Sequence, residues 1–212
     1  GARTPQEKAL ALFLFVRDSI KFGFTRNFDE ASPEATLRSG VGHCNPQGTL
    51  FASLLQSQDI EAQQRFVNLS PSVLRGVLSP CPPRLLHSYV ELRLPPSENS
   101  ASVESDHNEW IRIDGYIADK PLFNAAKTRL LREKTKEGFG IHVDGSVEWD
   151  GKSECFCQMA DERTQVSEDL GTFDRPADLY SSPRNFQRLP WLVRLTFGLF
   201  IAMPNSAIQA VR

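Results

Sequence analysis

Cys44 and its surroundings restrict this chain more than any other feature. Ser39-Gly40-Val41-Gly42 breaks regular structure, whereas Gly48 to Gln58 carries Leu50, Phe51, Leu54 and Leu55 at helical spacing. A cysteine is thereby set at or beside the start of a buried helix. There the unpaired N–H groups and the positive end of the helix dipole favour an anion, the condition under which a thiol becomes a nucleophile. The same N–H groups are placed to stabilise an oxyanion. This segment alone leaves a second reading open, a small buried cysteine that only fills space.

Two later segments bear on that choice. His87-Ser88-Tyr89-Val90-Glu91-Leu92 alternates, with Ser88, Val90 and Leu92 on one face and His87, Tyr89 and Glu91 on the other. In Trp110-Ile111-Arg112-Ile113-Asp114 the two isoleucines face one way and Trp110, Arg112 and Asp114 the other. If the two strands pair antiparallel, the start of the first lies beside the end of the second, so His87 and Asp114 are expected neighbours. A cysteine, a histidine and a carboxylate supply a nucleophile, a base and a group to orient that base.

Taken together, the segments resemble the transglutaminase-like superfamily. Gly42, Cys44, Leu54-Leu55 and Ile60-Glu61-Ala62 fit its nucleophile segment, His87-Ser88-Tyr89-Val90-Glu91 its histidine strand and Trp110 to Asp114 its aspartate strand, over roughly residues 8 to 118. Asp59 departs from the pattern, standing where a turn glycine is common, though Asp tolerates the left-handed conformation. The resemblance implies an α+β, papain-like core: N-terminal helices, a nucleophile helix packed on an antiparallel sheet, and a C-terminal helical extension. It carries Cys44, His87 and Asp114 over as nucleophile, base and orienting carboxylate. It further implies an acyl-enzyme formed from an amide or thioester, whether peptide, small molecule or carrier-bound acyl group, and released to water or an amine. A biosynthetic cyclase or acyltransferase using the same triad, and a binding module that has kept the fold, are the alternatives. Tyr89, Trp110 and Gln47 are the expected substrate-binding residues, with Gln47 and Asn27 as candidate oxyanion donors. No cofactor is expected.

Length and charge fit this reading. A chain of 212 residues can bury a core without disulfides, and a formal net charge of -2 argues against nucleic-acid binding. Residues 1–118 are expected to form the core and 119–212 an extension packed on the same domain. Four cysteines make no disulfide framework at this size, and with no charged-then-apolar leader at residue 1 a cytoplasmic location is the default. Thr4-Pro5-Gln6-Glu7 starts a helix to about Ile20, and Ser32-Pro33-Glu34 starts a shorter one that Gly40 ends. The stretch 95–108, rich in Ser, Glu and Asn, reads as a surface loop. Beyond Asp114 the pattern predicts a helix from Pro121 to Lys136, its basic residues on a solvated face, then a hairpin of residues 141–143 and 147–149 turning at Asp144-Gly145. Cys155 and Cys157 read as strand residues. Together with His142 they are a weaker candidate metal set, because structural zinc ligands are usually spaced further apart. Residues 190–203 are apolar nearly all round but too short to span a bilayer. They read as a helix buried against the core or in a self-association interface, ahead of docking on a membrane surface.

Overall fold

The computed structural model describes residues 1–95, 109–161, 165–181 and 201–212. The capping box of Thr4 and Glu7, with Pro5 in the first turn, starts helix α1 at Pro5–Ser19. Its buried stripe is Ala9, Phe13 and Val16, continued by Ile20, with Leu12 partly buried at the edge. The Ser32 cap opens α2 at Pro33–Ser39, and Gly40 ends it at φ 63°. Strands β1 (Lys21–Phe22) and β2 (Val41–Gly42) pair in parallel and lead the chain into α3, Cys44–Gln56. Helix α3 ends in a turn that puts Asp59 at φ 58°, with Ile60 N–H bonded back to the Leu55 carbonyl at 3.1 Å. Asp thus does the work of the expected glycine.

The chain continues through β3 (Ala62–Leu69), β4 (Leu85–Leu92), β5 (Ile111–Ile113), helix α4 (Lys120–Arg132), β6 (Glu137–Gly138), β7 (Ile141–His142), β8 (Val166–Thr172), α5 (Pro176–Ser181) and α6 (Ala202–Val211). The main sheet is antiparallel in the order β5-β4-β3-β8. Helix α3 packs on β3 and β4, and α1 packs on α3. The fold is therefore α+β, with the helix that begins at Cys44 packed on an antiparallel sheet as expected. One apolar cluster joins Phe13 of α1, Phe51 and Leu55 of α3, Val90 and Leu92 of β4, and Leu122, Ala126 and Leu130 of α4. Each such fully buried side chain contributes roughly 1.5–3 kcal/mol. Residues on both sides of position 118 share this core. Helix α6 is clasped to the N-terminal part and to the start of α4: the Asn205 side chain bonds both the N–H and the carbonyl of Phe24 at 2.8 and 2.9 Å, and Arg212 donates to the Phe22 carbonyl at 3.2 Å and pairs with the buried Asp119.

Three expectations are corrected. Helix α4 stops at Arg132 rather than Lys136, because Lys134 takes φ 55° and Thr135 N–H and Lys134 N–H bond back to the carbonyls of Leu130 and Leu131, a Schellman stop made without glycine. The hairpin lies one loop earlier than expected. Strands β6 and β7 pair around Phe139 and Gly140, both at positive φ as a two-residue turn demands, whereas neither Asp144 nor Gly145 has positive φ. Residues 147–149 form no strand, and Ser146 N–H and His142 N–H bond instead to the carbonyls of Phe156 and Cys157. Cys155 makes only an isolated bridge to Ile113, not a strand. The readings of 95–108 and of 190–203, self-association included, fall almost wholly outside the described residues. No described helix is long and apolar enough to cross a membrane.

Candidate active site

Cys44 is the first residue of α3, after His43, whose extended backbone caps the helix without a side-chain bond. Gln47 N–H takes the His43 carbonyl, and Pro46 has no N–H. The amides of Cys44 and Asn45 are thus the donors that the first turn leaves without a helical partner. Cys44 is 7% exposed, and its thiol lies 3.6 Å from Asn45 Oδ1.

His87 and Asp114 meet as the strand pairing requires. Strands β4 and β5 align Val90 with Ile113, and beyond β5 the Asp114 side chain accepts a hydrogen bond from His87 Nε2 at 3.0 Å, both residues fully buried. The other Asp114 oxygen accepts from the backbone N–H of Cys157 and of Gln158. Burial pulls the His87 imidazole down, but the Asp114 bond and the Cys44 sulfur outweigh it and raise its pKa to about 9. Nδ1 of His87 has no hydrogen-bond partner. Burial pushes the Cys155 thiol up to about 12 and that of Cys157 well above its ordinary value.

Cys44 and His87 share one cavity of about 300 Å³, lined mostly by apolar side chains from β1, the residues after it, the loop before β4, and β4. Tyr89, Trp110 and Gln47, expected to bind substrate, do not line it. Tyr89 is buried behind His87 among Val67, Leu69, Phe156 and Met159. Trp110 lies under the Arg93 guanidinium, 4.2 Å from ring centre to cation. Gln47 spends its amide N–H groups on the carbonyls of Ile20 and Gly42, holding β1 and β2 together. Asn27 is exposed and also outside the cavity. In each case strand alternation or proximity in sequence misjudged where the fold turns the side chain.

A second polar cluster in the cavity wall was not foreseen. The buried Asp29 accepts from His43 Nε2 and Asn45 Nδ2, both at 2.7 Å, and from the Tyr180 hydroxyl. Burial pushes its carboxyl up, but these bonds prevail and hold it below the usual range. His43 stacks on Phe28 with ring centres 4.6 Å apart. The signal for His43 was its place beside Cys44; Asp29 and Tyr180 carried none. The candidate metal set is spent on other bonds: Cys157 Sγ donates to the Asp114 carbonyl, Cys155 Sγ to that of Ser146, and His142 Nδ1 accepts from Asp144 N–H. No group of three or more His, Cys, Asp or Glu able to hold a metal ion occurs among the described residues.

Residues 1–115 match the family model of the transglutaminase-like superfamily. No curated protein and no solved structure matches the chain. The match ends one residue beyond Asp114 and takes in Cys44, His87, Asp114 and strands β3, β4 and β5, which makes this chain a member of the transglutaminase-like superfamily.

Proposed function

We propose that the protein is a cysteine-dependent acyl-transfer enzyme acting through Cys44, His87 and Asp114. The observation that carries this reading is the buried His87–Asp114 pair at 3.0 Å, its imidazole held protonated by Asp114 and by the Cys44 sulfur in one cavity. Cys44 Sγ attacks the carbonyl carbon of an amide or thioester. As the new C–S bond forms, the carbonyl π electrons move to oxygen, toward the free amides of Cys44 and Asn45. Collapse breaks the bond to the leaving group, which departs with the proton of His87. Water or an amine then loses a proton to His87 as it attacks the thioester, and the thiolate leaves. Asp114, fixed by the Cys157 and Gln158 amides, holds the ring with Nε2–H toward itself and so presents Nδ1 to the chemistry.

Turnover of a simple thioester tests this. Cys44→Ala is expected to fold and lose turnover entirely, His87→Ala to lose nearly as much, and Asp114→Ala less, since members of one catalytic unit are far from additive. Added primary amine partitions the acyl group to amide where the site admits an acceptor and leaves only free acid where it does not. Full activity in Cys44→Ala would remove the covalent mechanism.

A further inference from the structure

Resting on the reading of Cys44 as nucleophile, we infer that the acyl half of the substrate is an uncharged apolar group of about six to ten heavy atoms, seated in the cavity beside Cys44. The walls are Phe22, Phe24, Phe28, Leu74, Leu78 and Leu86. Side chains of this kind normally fill the space between them, because an empty apolar hole costs stability in proportion to its volume. Here they border about 300 Å³ that opens onto the sulfur. At the roughly 30 Å³ that a water or a group of similar size occupies, that is room for about ten heavy atoms, fewer where the mouth meets solvent.

The polar residues of the lining offer such a guest little. Both Asp29 oxygens are engaged by His43, Asn45 and Tyr180, and Gln158 Nε2 bonds the Gly140 carbonyl at 2.9 Å. The buried side-chain atoms of the lining without a partner are Nδ1 of His43 and of His87, which with the Cys44 and Asn45 amides lie at the sulfur end. A polar or charged chain would shed its water against phenylalanine and leucine without replacement bonds. Apart from the His87 imidazolium beside Cys44, the cation in the lining is Arg84, and it is exposed. A substrate with a carboxylate at its far end would be the choice if Arg84 governed selection.

The experiment measures acylation of the intact protein by S-acyl-N-acetylcysteamine thioesters of constant leaving group: acetyl, butanoyl, hexanoyl, octanoyl and the carboxylate-tipped adipoyl. In each, the thioester C–S bond breaks as the bond to Cys44 Sγ forms, and the cysteamine sulfur leaves with the His87 proton. Intact-mass kinetics with peptide mapping reads Cys44, and the exposed Cys81 reports uncatalysed acylation. The Cys44 rate is expected to rise about three- to fourfold per methylene while the chain still fits, with hexanoyl at least about tenfold above both acetyl and adipoyl. Leu78→Trp, which narrows the cavity at a partly buried position, should lower the ratio of octanoyl to acetyl rates. A flat acyl series with Cys44 still acylated overturns the apolar acyl site and leaves the nucleophile standing, as does adipoyl equal to or faster than hexanoyl. No Cys44 adduct from any member overturns the nucleophile reading and this inference with it.

Discussion

His87 depends on its two neighbours, Asp114 and Cys44, for the charge it carries. A buried imidazole ordinarily gives up its proton, and His87 keeps it because a carboxylate holds one side and the Cys44 sulfur lies by the ring. Cys44 is therefore expected to alkylate at neutral pH faster than Cys81, and about tenfold or more faster than Cys155 and Cys157, whose thiols burial pushes up. Limiting iodoacetamide with mass-spectrometric mapping reads this directly; equal labelling of all four would count against an activated thiolate. The imidazolium is present below its raised pKa of about 9 and lost above it. His87→Gln should accordingly slow Cys44 labelling at pH 7, and the gap to wild type should close as pH climbs past about 9. The places of the three residues proposed as the triad were legible because each sits in a local pattern: a helix start, an alternating strand, a strand end. Asp29 was not, because its meaning comes from Tyr180, 151 residues further along the chain. Nor did alternation alone reveal that Tyr89 would be sealed behind His87 rather than open to substrate.

Helix α3 sits close enough to the sheet to bring Cys44 toward His87 because residue 48 has no side chain. A Cβ on Gly48 would stand 2.5 Å from the Gln64 amide and 3.1 Å from the Tyr116 hydroxyl. The Gln64 amide has little freedom to yield, being bonded to Asn45 O, Ser88 Oγ and Thr49 Oγ1. Gly48→Ala should therefore destabilise by about 1–3 kcal/mol, although alanine is the better helix former by about 1 kcal/mol. Urea denaturation measures it, and a gain in stability would show that the helix can shift outward at little cost. Helix starts were read well from sequence, because Ser, Thr and Pro caps act locally. Helix stops and the hairpin were not. Lys134 and Phe139 adopt the left-handed conformation that glycine usually marks, Phe139 with its ring over the space left by Gly76. The Asp144-Gly145 pair, the stronger local signal, was overridden by bonds to the Phe156–Cys157 backbone.

At the scale of the whole molecule, the shared core predicts that residues 1–118 and those beyond them unfold together. Calorimetric and van't Hoff enthalpies should agree, and a separate transition for the N-terminal part would contradict it. The clasp at α6 is testable through Asp119, which is 1% exposed, caps α4 and is paired by Arg212. Burial pushes its carboxyl up, but Arg212 more than compensates and holds it below the ordinary 3.8. That stabilisation is complete above about pH 4 and fades as pH falls through the lowered value. Arg212→Ala should cost about 3 kcal/mol at pH 7, with a penalty that shrinks under acid, when the abandoned carboxyl takes up a proton; thermal denaturation against pH follows this. The cavity wall also has an order in time. Tyr180 and Pro204 line the space around Cys44, and about 160 residues separate Cys44 from Pro204. At a synthesis rate of about 5–20 residues per second, the cysteine leaves the ribosome on the order of ten seconds or more before its chamber can close. The thiol is thus born before the walls that come to enclose it.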